Sequence, residues 1–464
     1  MENNKVQEGV KRETFTSQFG VLAAAAGSAI GLGNIWKFPY ITGENGGAAF
    51  VLVYLLCIAV IGLPVMLSEF LIGRRSQKAA IGAFKDLKPG TPWFLTGWMG
   101  LLAAFFILSF YGVVAGWTLN YIVFSITNKL AGASPEVIGQ TFGAFISDPV
   151  KPLFWQVAFM VMTAAILFGG VKDGIEKYSK ILMPLLLVII LVLDVRALTL
   201  PGAGEGVRFL MEPHFDKLSI KGVLVALGHA FFSLSLGMGC MITYGSYIGK
   251  KQNLGSMALQ VTIADTAIAL LAGFAIFPAV FAFGVDPSAG PGLVFVTLPN
   301  VFNMMPGGYF FSILFFILLA VAALTSSISI LEVIVTYFIE ELKIKRSMAI
   351  IVGFVATTVF GVLCSLSMSP ASVVSTWTFP TLAGMKNFFD TMDWWSANMF
   401  LPLGGLFISL FAGWIMKEQD VMDEVSSGGE FQVPWFKTFI WVARTLAPLM
   451  IFIVFLYSLG VIKV

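Results

Sequence analysis

The chain has 464 residues, 58% of them hydrophobic and only 12% charged. That balance lies far from a soluble globular average and puts the protein in a bilayer. The formal net charge of +2 comes from Lys and Arg dispersed between apolar runs, which leaves no basic patch for nucleic acid.

Apolar segments of about 17–25 residues can cross a membrane. Eleven are expected, over residues 15–40, 47–72, 94–126, 153–170, 176–198, 222–248, 255–284, 308–341, 347–366, 395–416 and 438–461. Eighteen Lys and Arg fall in segments on the side of the N-terminus and eight on the other side. This excess predicts a cytoplasmic N-terminus, and an odd number of spans then puts the C-terminus outside. The polar N-terminus leads into an apolar run too long for a cleavable signal, and no Asn-x-Ser/Thr acceptor occurs. Cys57, Cys240 and Cys364 all lie in apolar runs and read as buried packing residues.

The first span contains Gly27-Ser28-Ala29-Ile30-Gly31-Leu32-Gly33-Asn34-Ile35-Trp36-Lys37-Phe38-Pro39. Each glycine lowers helix propensity by about 1 kcal/mol relative to alanine. One reading is a small-residue face for close helix packing. Asn34 and Lys37 favour the other, a helix broken around a binding site, because lipid cannot hydrogen-bond freed backbone. Glu69, near the end of the second span, reads as a structural pairing residue. Tyr111, mid-way along the third, is either a packing tyrosine or a hydroxyl donor to a substrate carboxylate.

The sixth span is interrupted in the same way, at Phe231-Phe232-Ser233-Leu234-Ser235-Leu236-Gly237-Met238-Gly239. Two interrupted spans five apart point to an inverted repeat, spans one to five mirrored by six to ten. Repeat one would cover about 15–198 and repeat two about 222–416, with an extra helix at about 438–461. His229 has no second His or Cys at ligand spacing, so a transition-metal site is not expected. Asp265 in the seventh span can neutralise a cation or hold a proton; alternatively it is a helix-end carboxylate reaching solvent. Glu332, in the eighth span, is given no role. The run Ala322-Ala323-Leu324-Thr325-Ser326-Ser327-Ile328-Ser329-Ile330 puts adjacent hydroxyls at mid-membrane. Single hydroxyls usually fold back on their own helix, whereas several beside two broken helices suit a hard monovalent cation. Carbonyls freed at Gly27, Ala29 and Ile30 would complete its shell, and the half-helix N-termini would attract a carboxylate. The chain has no Walker-type phosphate loop and no Ser/His/Asp or metal constellation, so neither an ATP-driven pump nor an enzyme is expected.

These residues resemble the neurotransmitter:sodium symporter family in its short prokaryotic form. The matches are residues 27–40, Glu44-Asn45-Gly46-Gly47, residues 231–237 and Leu324-Thr325-Ser326-Ser327. The resemblance implies an all-α integral membrane protein of LeuT-type fold, with eleven helices, a 5+5 inverted repeat and breaks in helices 1 and 6. It implies two Na⁺ sites, one at Ala29, Asn34, Ser233 and Asp265, the other at Gly27, Ile30, Ala322, Thr325 and Ser326. It implies a substrate pocket of Ser28, Ala29, Leu32, Gly33, Ile107, Tyr111, Phe232, Ser233, Ser235, Met238, Ser326 and Ile330. Lys37 and Asp393 correspond to an outer gate, and Arg12 and Glu340, with Tyr247 nearby, to an inner one. Gly174 and Pro184 match the spacing with which similar transporters unwind the cytoplasmic end of the fifth span.

Three departures refine the expectation. Lys37 replaces the usual Arg and gives up its bidentate geometry. Gly31 stands where amine-transporting members carry Asp, which favours substrates that bring their own carboxylate. The chloride site of animal members maps onto Tyr54, His229, Ser233, Asp265 and Ala269, where Asp265 supplies a fixed negative charge, so no chloride requirement is expected. The expectation is therefore a sodium-coupled, alternating-access importer of a neutral hydrophobic or aromatic amino acid in a prokaryotic cell membrane. A channel or a non-transporting sensor on the same scaffold is the alternative.

Overall fold

The computed structural model describes residues 13–285 and 290–462. Eight helices are long and apolar enough to cross a bilayer: Ala48–Ser76, Phe94–Ile126, Gly170–Leu198, Leu254–Ala282, Gly308–Glu340, Arg346–Leu366, Phe388–Ile415 and Phe436–Ser458. They are spans two, three, five and seven to eleven. The first span is a bent pair, Gln18–Ala29 and Gly33–Glu44, turned by 46° at its break. The fourth is Lys151–Leu167, reached by a sharp 73° turn from the surface helix Pro135–Ser147. The sixth is split into Ile220–Ser233 and Cys240–Gly245. Counting the split sixth span, the described residues hold eleven spanning segments, in line with the expectation, and the tenth starts earlier than its apolar run, at Phe388. The one non-helical addition among the described residues is a two-stranded ribbon, Phe379–Thr381 with Gly384–Lys386, between spans nine and ten.

Prolines inside these spans explain much of the local geometry. A proline lacks an N–H and its ring collides with the carbonyl four residues back. Wide π-turns at Gly33–Lys37, Ile58–Gly62, Ser396–Phe400 and Val442–Leu446 each end two residues before a proline, namely Pro39, Pro64, Pro402 and Pro448. Widening the turn moves the threatened carbonyl aside and lets the span continue.

Spans three and eight form the centre, with 78% and 83% of their most apolar window buried, against 33% for span five, which faces lipid. Both broken spans lie against this centre. Glycines permit the closest approaches: a Cβ on Gly237 (φ +79°) would collide with Leu401 O, and one on Gly404 with Gly237 O. Spans six and ten therefore meet backbone to backbone.

Candidate functional site

The break in the first span arises because two amide donors leave the helix. Gly31 N–H donates to Asn34 Oδ1 (3.0 Å) and Leu32 N–H to Tyr111 Oη (3.2 Å). Continuing the helix would have sent those donors to Gly27 O and Ser28 O. Ile30 instead takes an extended conformation (φ −75°, ψ 102°), and the released carbonyls turn to side chains. Ser28 O accepts from Ser235 Oγ (2.8 Å) and Ser326 Oγ (3.1 Å).

A second cluster of oxygens forms where the first span meets the eighth. Ser326 Oγ lies 3.3 Å from both Gly27 O and Ile30 O, and Thr325 Oγ1 lies 3.4 Å from Ile30 O and 3.0 Å from Ala322 O. Five oxygens thus converge with only two hydroxyl protons between them. A cation that holds oxygen at about 2.3–2.6 Å separates neighbouring ligands by about 3.3–3.7 Å; the three contacts across the spans, at 3.3–3.4 Å, match that spacing, while the 3.0 Å contact is Thr325 bonding back to its own helix, as it also does to Val321 O (3.3 Å). All five oxygens belong to the second expected sodium site.

Three of the four residues expected at the first sodium site also meet. Asn34 Nδ2 donates to Asp265 Oδ1 (2.8 Å), Asp265 O (3.0 Å) and Ser233 Oγ (3.2 Å). Ser233 Oγ in turn donates to Asp265 Oδ2 (2.9 Å), and Tyr54 Oη to Ser233 Oγ (3.1 Å). Asp265 is fully buried, which sets aside the solvent-reaching alternative. Its partners are neutral, and no Lys or Arg among the described residues lies within ion-pair distance of it. Ala29, the fourth residue, lines the neighbouring cavity. His229 is stacked near Phe38 (6.0 Å) and Tyr54 (5.4 Å), with both ring nitrogens unpartnered among the described residues.

Between the two breaks is a narrow cavity of about 20 Å³. Eleven of the twelve residues expected in the pocket line it; Ser233 faces the Asp265 cluster instead, and Gly31 completes the wall. A Cβ on Gly31 would collide with Ser326 Oγ and come within 2.9 Å of Tyr111 Oη, so the bare backbone here is a steric requirement. Its lining combines Tyr111 Oη and the turn at Gly31–Gly33 with the apolar side chains of Ile107, Met238 and Ile330, and Phe232 packs over Gly33.

The second break is closed by a residue that the sequence left as a structural pair. Glu69 Oε1 accepts Gly237 N–H at 2.7 Å in a fully buried setting, so the carboxylate replaces the lost helix bond. Ser235 holds a left-handed conformation (φ +54°) flanking this contact.

Lys37 makes no ion pair with Asp393; its Nζ lies 4.5 Å from the centre of the Phe232 ring. An ammonium is a compact charge that a ring face holds well, and it lacks the planar fork that would bridge to a carboxylate. On the opposite side Arg12 lies outside the described residues. Glu340 accepts Ala79 N–H (2.9 Å), capping the start of the surface helix Ala80–Leu87. Tyr247 donates to Glu332 Oε1 (2.6 Å), which pairs bidentately with Arg346 (2.9 and 2.7 Å). A further clasp joins the first and fifth spans. Glu176 accepts from Thr16 N, Thr16 Oγ1 and Ser17 Oγ at 2.7–3.0 Å, while Glu13 Oε2 accepts Val171 N–H at 2.7 Å. Gly174 belongs to the π-turn Gly170–Glu176 at this clasp, where a Cβ would collide with Ile166 O, and Pro184 lies inside Lys177–Leu198. The fifth span is thus wound here rather than open. The only hint of the clasp in the sequence was two isolated carboxylates beside apolar runs.

An all-helical membrane protein whose cavity lies between two broken helices belongs to the class of secondary transporters. The comparisons make the assignment specific. The family model of the Sodium:neurotransmitter symporter family matches residues 12–141 and 146–464. The chain is 42% identical to the sodium-dependent transporter YhdH of Bacillus subtilis (strain 168), over 97% of this chain and 98% of that one. It is 31% identical to a sodium-dependent transporter of Methanocaldococcus jannaschii, over 95% and 89% of the two chains. The solved structure of MhsT in complex with L-phenylalanine matches with a TM-score of 0.88 and 48% identity, covering 96% of this chain and 100% of that chain. The protein belongs to the sodium:neurotransmitter symporter family and has the LeuT-type fold expected of it.

Proposed function

We propose that this transporter imports a neutral amino acid with a hydrophobic or aromatic side chain, driven by sodium and without chloride. The observation that carries the reading is the mixed lining of the cavity. Tyr111 Oη, which accepts from Leu32 N–H, keeps its own proton to donate to a carboxylate, and the carbonyls beside Ser28 and Ser326 offer acceptors to an ammonium. Ile107, Met238, Ile330 and Phe232 leave only apolar surface for the side chain. Charged or strongly polar side chains would lose hydration there without compensation.

One sodium ion fits among Gly27, Ile30, Ala322, Thr325 and Ser326. A second fits beside Asn34, Ser233 and Asp265, with Ala29 O and the substrate carboxylate completing its shell. Both are cargo, and the buried Asp265 carboxylate gives the second ion the negative charge that an apolar interior otherwise withholds. The same charge at the Tyr54–Ser233 position takes the role of an anion, which supports chloride independence. In the alternating-access cycle Phe232 and Tyr111 close over the substrate. Release toward the cytoplasm, taken as the side of the N-terminus, requires the Glu332–Arg346–Tyr247 network and the Glu13–Glu176 clasp to part, with loosening near Gly174. The C-terminus then lies outside.

Uptake into proteoliposomes tests this directly. Phenylalanine, tryptophan or leucine is expected to accumulate only with an inward sodium gradient, equally in chloride and gluconate. Uptake confined to charged or very small amino acids, or unaffected by sodium, would overturn the reading. Labelled substrate exchanging against unlabelled without a gradient separates a carrier from a channel.

A further inference from the structure

A groove of about 490 Å³ opens on the lipid-facing flank of the protein, between the far end of the fifth span and the start of the eighth. Val188, Leu191, Val192, Val195 and Phe311 line it together with the polar side chains of Arg196 and Thr199. We propose that this groove holds one anionic glycerophospholipid, with Arg196 on the lipid phosphodiester.

The argument rests on how Arg196 is held. An arginine in the last helical turn is favoured by the helix dipole alone, and near a membrane surface it ordinarily extends toward water. This one lies across the groove instead. Its guanidinium is 5.7 Å from the Phe311 ring centre, and one Nη donates to Pro306 O at 3.0 Å. No acidic side chain among the described residues pairs with it, and its Nε–H is covered and has no acceptor. Asp194, two residues earlier, is buried on another face of the helix, with both oxygens unpartnered among the described residues. A guanidinium has five N–H donors; with Nε–H covered and one Nη engaged by Pro306 O, the remaining Nη donors are left for a ligand. Phosphate is the bilayer group that matches this fork bidentately.

The acyl chain contributes position rather than affinity, because lipid tails are already as apolar as the valines and leucine beneath them. Selectivity must therefore reside in the headgroup. A zwitterionic lipid brings a choline or ethanolamine cation beside the guanidinium, whereas phosphatidylglycerol adds no positive charge. The expected preference is about fivefold for one basic contact near the membrane surface.

Native mass spectrometry of the purified full chain, titrated with phosphatidylglycerol or phosphatidylcholine of identical acyl chains, tests the proposal. One phosphatidylglycerol should be retained about fivefold better than phosphatidylcholine, and glycerol phosphate without acyl chains should not displace it. Arg196→Ala should remove the preference, and Arg196→Lys should keep part of it. Val192→Trp fills the groove from an exposed position and should lower retention of both lipids. Equal retention of the two lipids by the unaltered protein, or a preference that survives Arg196→Ala, would overturn the site. Displacement by glycerol phosphate alone would overturn the lipid in favour of a free phosphate.

Discussion

The two interrupted spans solve one problem in opposite ways. In the first, Asn34 and Tyr111 take amide donors away from the helix, so carbonyls are left over and face hydroxyls that cannot supply enough protons. In the sixth, Glu69 supplies the acceptor that a freed amide has lost, and Gly237 presses against the tenth span. One break keeps an oxygen excess that a cation can satisfy. The other is closed by the protein itself. A broken helix is therefore not by itself an ion site; what decides is whether neighbouring side chains leave a surplus of donors or of acceptors.

The sharpest way to break the contrast is to remove oxygen from the first span's side. Thr325→Ala and Asn34→Ala should each abolish sodium-stimulated substrate binding, while Thr325→Ser, which keeps the hydroxyl, should retain it. Sodium titrations by scintillation proximity with labelled amino acid read this out, and a normal sodium response in either alanine variant contradicts the assignment. Gly31→Ala comes next, since its Cβ meets Ser326 and Tyr111. Overpacking of this kind costs about 1–3 kcal/mol, so substrate affinity should fall by about 5–150-fold.

On the sixth-span side the expected losses are in stability. Glu69→Ala leaves Gly237 N–H buried without an acceptor, a penalty of about 1–3 kcal/mol, and should lower the melting temperature in detergent. Glu69→Gln keeps an oxygen for that amide and should lie much closer to the unaltered protein. If both variants melt alike, Glu69 serves something other than the amide. The smallest effect is expected at the gate. Lys37→Arg restores a planar fork and should slow substrate dissociation a few-fold, roughly the effect of about 1 kcal/mol; unchanged dissociation would show that contact with the Phe232 ring dominates.

Much of this was legible in one dimension. Glycines amid apolar residues at 27–33 and 231–239 announced both breaks, because no lipid-exposed helix tolerates such runs without internal partners. Most of the cavity residues followed from the family resemblance alone. Glu69, Glu332 and Glu176 were harder. A buried carboxylate looks the same in sequence whether it caps an amide, pairs with an arginine or binds an ion. Its partners, Gly237, Arg346 and Thr16, are 168, 14 and 160 residues away. Lys37, expected at the outer gate, lies over the Phe232 ring, a contact that no local property of the chain announced.

Hydropathy, glycine placement and charge distribution determined by themselves that the chain crosses a membrane eleven times and is interrupted twice, since lipid imposes those constraints locally on every segment. Only the tertiary structure decided which freed backbone groups stay available to a ligand. That outcome depends on whether a distant hydroxyl, amide or carboxylate arrives within hydrogen-bond reach, and no local property of the chain encodes such a distance.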